Sequence, residues 1–221
     1  DAQWRAMFDT NVLGGVRFDD FSQDITNRLA ALSATNPSHQ AQTATSPRVG
    51  LVFVATPAVS LYASYSKGFR PNSGSDFFRV AFKPETSKSY EAGAKFETLD
   101  KSTSSTIAVY KGKKTNFLTT DPDPNHAGFS IAGGEAESQG VEFDLVSKLT
   151  DDLQLNLSYA YTDAKTTKDI IDFNFGYNIP KGSELINIPK HSAHALVVQD
   201  FHFNEAEVSV GGGVSYIGKR L

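Results

Sequence analysis

A period of two in the side chains restricts the fold of this chain more than any other feature. The segment LQLNLSYAYTDA, residues 153–164, places three leucines and two tyrosines on one side and mostly polar residues on the other. Alternate residues of a β-strand point to opposite faces, so the pattern predicts a strand with one apolar and one polar face. Such a strand fits a soluble β-sandwich, where the apolar face packs on a second sheet, or a membrane barrel, where it contacts lipid.

The same pattern recurs along the chain and predicts an all-β, antiparallel fold of about nine strands. We place them at Val12–Phe18, Arg48–Ala55, Ser60–Phe69, Ser87–Glu97, Thr103–Lys113, Ala136–Leu149, Leu153–Ala164, Pro189–Phe203 and Glu207–Lys219. Many are longer than the five or six residues that are usual in soluble domains. About ten residues at roughly 3.3 Å each, tilted by about 45°, cross a hydrocarbon layer of roughly 25 Å.

The connections between these strands alternate strictly in length. The short ones fall at 55–60, 98–102, 149–152 and 203–206. The long ones, rich in Gly, Pro, Asn, Asp and Ser, fall at about 21–46, 70–86, 115–135 and 165–188. Every tight turn should therefore lie at one end of the sheet and every long loop at the other. Outer-membrane barrels have this arrangement, with short periplasmic turns and long extracellular loops, whereas Greek-key sandwiches rarely do.

The composition excludes several classes of protein. Of 221 residues, 39% are hydrophobic and 21% are charged, with a net charge of −4, which excludes a disordered tail and a basic nucleic-acid-binding surface. The mean hydropathy of −0.31 excludes a helical membrane protein but not a barrel, where only alternate residues are apolar. The absence of cysteine removes disulfides and thiolate chemistry. The opening DAQWRAMFDT lacks the features of a signal peptide, so either the protein is not exported or its N-terminal part lies outside this sequence.

The sequence offers little chemistry for catalysis or metal binding. The segment DPDPNHAG, residues 121–128, is similar to a calcium loop, but His126 occupies the required glycine position and no glutamate completes the ligand set. We therefore predict no metal site, and we expect the isolated His126 to be solvated. We find no catalytic constellation and predict that the protein is not an enzyme.

Five segments, in order and spacing, resemble one family. They are YASYSKGFRP (62–71), PETSKSYEAGAKFE (84–97), AESQGVEFDL (136–145), LQLNLSYAYTDA (153–164) and NIPKHSA (187–193). Together they resemble the β-barrel of TonB-dependent outer-membrane receptors, and the last is most similar to the siderophore-receptor branch. The resemblance extends from about Val12 to Tyr216 and therefore covers nearly the whole chain.

The resemblance implies a 22-stranded barrel in a Gram-negative outer membrane, closed around an N-terminal plug domain. In this family a ferric siderophore, which is cargo rather than cofactor, binds at the external loops and the plug. TonB in the inner membrane acts on the plug using the proton-motive force. Residues 1–221 would then be a fragment of the barrel domain, a partial transmembrane barrel surrounded by outer-membrane lipid. The plug, the first strands and the closing strands would lie outside this sequence.

The long loops contain the candidate ligand-binding residues. They are Arg70, Phe77, Phe78, Arg79, Phe173, Phe175 and Tyr177. Aromatic and cationic side chains together suit a large, partly planar, anionic chelate. Two alternatives remain open: Arg70 is an ordinary solvated arginine at the rim, and the aromatic residues pack the loops against each other. For the whole protein, the alternatives are import of haem, cobalamin or a glycan, or a soluble β-sandwich binding module.

Overall fold

The computed structural model describes residues 9–26, 38–172 and 176–220. These residues form eleven strands: β1 (Asp9–Ile25), β2 (Ser38–Thr56), β3 (Val59–Arg70), β4 (Glu85–Glu97), β5 (Thr103–Thr120), β6 (Ser130–Lys148), β7 (Leu153–Thr166), β8 (Ile170–Asp172), β9 (Tyr177–Ile179), β10 (His191–Phe203) and β11 (Ala206–Ile217). A 3₁₀ turn, Pro124–His126, lies between β5 and β6. No helix in the described ranges has the length and hydropathy needed to cross a bilayer.

Nine of these strands form one antiparallel sheet in the order β1-β2-β3-β4-β5-β6-β7-β10-β11, and β8 and β9 form a separate hairpin. Each strand of the large sheet therefore pairs with the strand next to it in the chain, apart from the β8–β9 insertion. All nine predicted strands are present. This up-and-down connectivity is the one that barrels use.

The connections are sorted between the two ends of the sheet, as the sequence predicts. At one end, the short-turn end, β2 and β3 are joined by residues 57–58, β4 and β5 by 98–102, β6 and β7 by 149–152, and β10 and β11 by 204–205. At the other, the long-loop end, β3 and β4 are joined by 71–84, β5 and β6 by 121–129, and β7 and β10 by 167–190. In outer-membrane barrels the long-loop end is extracellular.

Several loops are shorter in the structure than the sequence predicts. The connection expected at about 21–46 shrinks to 26–37, and the one expected at about 115–135 shrinks to 121–129, because the flanking strands continue. Backbone pairing does not require apolar side chains, so the ladder extends where the apolar alternation has ended. The loop expected at 165–188 contains β8 and β9. The last two strands are shorter than predicted, since β10 begins two residues after Pro189, which has no N–H to donate, and β11 ends at Ile217.

The sheet is a single layer with almost no apolar core. Among the described residues, the buried hydrophobic side chains are Phe82, Ala108, Ala136 and Ala164. Large apolar residues of the strands are exposed instead, such as Val214 at 68%. In a sandwich these side chains would be covered by a second sheet about 10 Å away. The soluble β-sandwich alternative is therefore wrong.

The strand register gathers the apolar side chains on one face, which we call the apolar face. Ile107 of β5 lies opposite Phe143 of β6, which lies opposite Tyr159 of β7. One residue along, Thr106 lies opposite Asp144, which lies opposite Ser158, on what we call the polar face. The alternation in the sequence thus becomes a difference between the two sides of the sheet.

On the polar face, the side chain of Tyr110 on β5 lies across Gly140 on β6. A Cβ atom at Gly140 would collide with the carbonyl oxygen of Tyr161 and lie 2.8 Å from the hydroxyl oxygen of Tyr110. That hydroxyl is 2.9 Å from the Thr162 Oγ1. The glycine of the AESQGVEFDL segment is therefore required for close packing between strands, as its position in mid-strand predicts.

Candidate ligand-binding site at the long-loop end

The β3–β4 loop, residues 71–84, is fixed to the sheet by buried amide side chains. Gln40 and Gln42 on β2 donate from their Nε2 atoms to the carbonyl oxygens of Asn72, at 2.7 Å, and Phe82, at 2.8 Å. Gln40, Gln42 and Asn72 are all buried. Buried polar groups that are hydrogen-bonded hold one arrangement, so both ends of this loop have a defined position.

Asn72 also connects the loop to β5. Its Nδ2 donates to the carbonyl oxygens of Lys83, at 2.8 Å, and Asn116, at 2.7 Å. Asn116 adopts a left-handed conformation with φ of 61° and donates from its own Nδ2 to the Pro84 carbonyl oxygen at 3.0 Å. Asparagine is among the few residues that adopt this conformation readily. The pair of asparagines therefore joins the start and the end of the loop to the neighbouring strand.

Replacing Asn72 with alanine is expected to release this loop. The substitution removes two part-buried hydrogen bonds, to the carbonyl oxygens of Lys83 and Asn116, each of which contributes about 1 kcal/mol. Amide hydrogen exchange within residues 73–83 of the full-length protein should accelerate at least roughly tenfold. Ser73→Ala, which removes one exposed hydrogen bond to Gln23, is the matched control and should change exchange little. Equal exchange in the two variants would contradict the anchoring role of Asn72.

The β3–β4 loop and the β5–β6 loop, residues 121–129, meet in an aromatic cluster formed by Phe77, Phe78, His126 and Phe129. The rings of Phe77 and His126 are stacked, with centroids 3.8 Å apart and planes inclined by 15°. Phe78 meets the imidazole edge-on at 5.2 Å, and Phe129 meets Phe77 edge-on at 5.1 Å. Two of the predicted ligand residues thus join two separate loops into one unit. Phe78 nevertheless remains 70% exposed.

His126 is held in the cluster by carboxylates of its own loop. Its Nδ1 lies 2.9 Å from Asp121 Oδ2, and both side chains are largely buried. Asp123 caps the following 3₁₀ turn by accepting from the backbone N–H of Asn125 at 2.9 Å, and this hydrogen bond lowers the pKa of Asp123 below its usual value. The expectation that His126 is solvated is wrong, because its imidazole is only 11% exposed.

The described residues contain no cluster of three or more His, Asp or Glu side chains arranged to hold a metal ion.

Arg70 and Arg79, the two predicted cations, differ in their surroundings. Arg70 lies at the end of β3 and forms an ion pair with Glu85, with its Nη2 3.0 Å from Glu85 Oε2. Lys114 binds the other oxygen of this buried carboxylate at 2.9 Å. Arg79 lies in a tight turn with φ of 63° and has no carboxylate partner within 4 Å in the described part of the chain. Arg79 is therefore the freer of the two cations for an anionic ligand.

The remaining candidates lie in the β7–β10 loop. Phe173 and Phe175 fall outside the described residues, and Tyr177 begins β9, where its backbone pairs with Asp172. The loop is tied to the end of β7 by Thr166, whose N–H donates to the Ser183 carbonyl oxygen at 2.9 Å. The sequence does not predict the hairpin of β8 and β9, because the segment DIIDFNFGYNI has no apolar alternation of sufficient length.

The whole chain, residues 1–221, matches the family model described as TonB dependent receptor-like, beta-barrel. This chain belongs to the TonB-dependent receptor family. It is 39% identical over 221 residues to the metal-pseudopaline receptor CntO of Pseudomonas aeruginosa strain UCBPP-PA14, covering 99% of this chain and 29% of that protein. It is 33% identical over 220 residues to the ferrichrome outer membrane transporter/phage receptor of Escherichia coli K12, covering 98% of this chain and 27% of that protein. The chain thus spans less than a third of the length of these curated relatives.

Solved barrels share the fold of this family member. The ferric preacinetobactin receptor BauA of Acinetobacter baumannii matches with a TM-score of 0.75 at 20% identity, covering 96% of this chain and 30% of that structure. The ferric-catecholate import receptor Fiu of E. coli K12 matches with a TM-score of 0.71 at 20% identity, covering 95% and 32%. The family consists of outer-membrane receptors and transporters of Gram-negative bacteria rather than enzymes. The predicted barrel fold, location and lack of catalytic activity are therefore confirmed at the level of the family.

Proposed function

We propose that this chain is the barrel portion of a receptor that imports a metal–siderophore complex, with ferric siderophore as the leading substrate. The observation that carries the proposal is the aromatic cluster at the long-loop end, which joins two loops, leaves the ring of Phe78 exposed and is followed directly in the chain by Arg79. An aromatic surface near a guanidinium that has no carboxylate partner among the described residues suits a large chelate that carries negative charge. Similarity to receptors named for ferrichrome and metal-pseudopaline supports the same class of ligand.

The proposal extends to the machinery outside this chain. A plug domain would precede residue 1 in the complete protein, and TonB would act on that plug to drive import with the proton-motive force. The 221 residues alone would then have two unpaired sheet edges, which a lipid environment does not tolerate. We expect no transport by the 221-residue chain reconstituted in liposomes, so uptake of ferric siderophore by that material would contradict this part of the proposal.

A second candidate is import of a metallophore whose metal is not restricted to iron. It is favoured by the 39% identity to a protein named as a receptor for metal-pseudopaline, a name that specifies no iron. Both candidates would use the same loop residues, because aromatic rings and an arginine recognise the organic chelate rather than the ion inside it.

Growth and uptake of a receptor-deleted strain complemented with the full-length gene test both candidates. Cells starved of iron, zinc or nickel receive a panel of chelates or haem, and cells whose growth depends on cobalamin or on a glycan receive that nutrient. Labelled metal measures the uptake of the chelates. We expect a ferric siderophore to rescue growth, and we expect a protonophore to abolish the uptake of its labelled metal. Rescue by zinc or nickel chelates would favour the second candidate, and rescue by haem, cobalamin or a glycan alone would overturn both.

A further inference from the structure

The apolar face carries an unbalanced group of lysines next to the long-loop end. Lys67 of β3 lies directly opposite Lys88 of β4, and Lys88 lies directly opposite Lys113 of β5. Three ammonium groups therefore stand in a row across three neighbouring strands, on the same face as the exposed apolar side chains. Like charges directly opposite each other in a sheet are destabilising, so this row requires compensation.

Carboxylates compensate the lysines of β5 but not those of β3 and β4. Lys111 and Lys113 each have a nitrogen–oxygen distance of 2.7 Å to a carboxylate of β6, Glu137 and Glu135 respectively. In the described part of the chain no carboxylate lies within 4 Å of the ammonium groups of Lys67 and Lys88. The excess positive charge is therefore confined to the β3–β4 pair.

Lys67 and Lys88 lie next to a pair of tyrosines on the same face of the sheet. Two residues before Lys67 lies Tyr65, and two residues after Lys88 lies Tyr90, so both tyrosines share the apolar face and are paired across β3 and β4. Their rings are 5.0 Å apart. Tyrosines on the outer face of a barrel mark the membrane interface, with lipid tails on one side and headgroups on the other. Because the lysines lie beyond them toward the extracellular loops, they are level with the headgroups of the outer leaflet.

We propose that Lys67 and Lys88 form a binding site for a phosphate group on a lipid of the outer leaflet. A phosphate between the two ammonium groups would replace their mutual repulsion by two charge-assisted contacts. The long stems of both lysines would lie along the tyrosine rings while the charges reach the headgroup layer. A barrel that holds such a lipid has a fixed depth in the membrane, independently of the substrate that its loops bind.

The experiment uses the full-length receptor in detergent micelles, titrated with lipid A that carries both phosphates, with dephosphorylated lipid A and with inorganic phosphate, and read by native mass spectrometry. Wild-type protein should retain the phosphorylated lipid and release the other two probes at the same concentration. The double variant K67Q/K88Q should bind phosphorylated lipid A roughly 30-fold more weakly, which is about 1 kcal/mol for each lysine. The same change of charge at the short-turn end, K101Q/K148Q, should have no effect.

The proposal would be overturned by equal retention of the two forms of lipid A by the wild type, by unchanged affinity in K67Q/K88Q, or by an equal loss in K101Q/K148Q. Inorganic phosphate binding as tightly as the lipid would also overturn it, because the site would then not be a lipid site. The comparison of lipids in the wild type decides the question even if the double variant fails to assemble.

Discussion

Replacing Leu157 with arginine is expected to lower the free energy of unfolding of the membrane-embedded barrel by about 2–4 kcal/mol. Leu157 lies in the apolar row of β7, opposite Leu145 of β6 and Ala195 of β10. A guanidinium there would be transferred into the hydrocarbon layer, with no acidic partner on either neighbouring strand at that level. This is the cost that membrane barrels show for arginine near the middle of the bilayer.

The matched control is arginine at the adjacent position, Asn156→Arg, on the polar face of the same strand. Because the interior of a barrel is polar, this variant should lose less than about 1 kcal/mol. The measurement is unfolding of the full-length receptor in lipid vesicles by guanidinium chloride, monitored by tryptophan fluorescence, from which the free energy of unfolding is obtained. An arginine at position 156 that is as damaging as one at position 157 would contradict the assignment of the two faces.

Replacing Phe78 with alanine is expected to weaken binding of the imported chelate roughly 30-fold, or about 2 kcal/mol. Phe78 contacts the His126 imidazole edge-on but leaves most of its own surface open, so its ring is available to a ligand. Phe78→Tyr keeps the ring and should retain most of the affinity. Equilibrium binding of the chelate that rescues growth, measured with the full-length receptor, gives the ratio.

Two further variants separate ligand contact from loop packing. Phe77→Ala removes the ring that stacks on His126, so it should weaken binding and also make the β3–β4 loop more sensitive to protease. Phe203→Ala removes an exposed phenylalanine next to the β10–β11 turn at the short-turn end and should change neither. If Phe78→Ala leaves the affinity unchanged while Phe77→Ala opens the loop, the cluster holds the loops together and does not bind the ligand.

The fold was largely predictable because each barrel strand has one apolar and one polar face, and the two faces alternate along the sequence. In β7 the leucines and tyrosines indicate one face and the intervening polar residues the other, and the register then follows from short hairpins. The extensions of β1, β2, β5 and β6 beyond the predicted bounds were not predictable in this way. Their residues, such as Gln40 and Gln42, are polar on the sheet and polar in a loop, so no change of pattern marks the end of the strand.

The candidate site was only partly predictable, because its contacts join segments that are distant in the chain. Composition was enough to identify Phe77 and Phe78 as candidates, but their neighbour His126 is in a different loop and looked isolated. Arg70 was a reasonable candidate at the end of a strand, yet the carboxylate that pairs with it, Glu85, follows a long loop. A pattern of period two contains no information about such pairs.

Accessibility of single cysteines tests the central claim, that the apolar face meets lipid and the polar face does not. The chain contains no cysteine, so each introduced thiol is unique within it. Spin labels at Phe143, Leu155 and Val210 should collide with oxygen dissolved in the bilayer and be shielded from a water-soluble nickel complex. Labels at Asp144, Asn156 and Ser209 should be shielded from that oxygen. Protection of the first three positions from oxygen by another layer of protein would contradict the account.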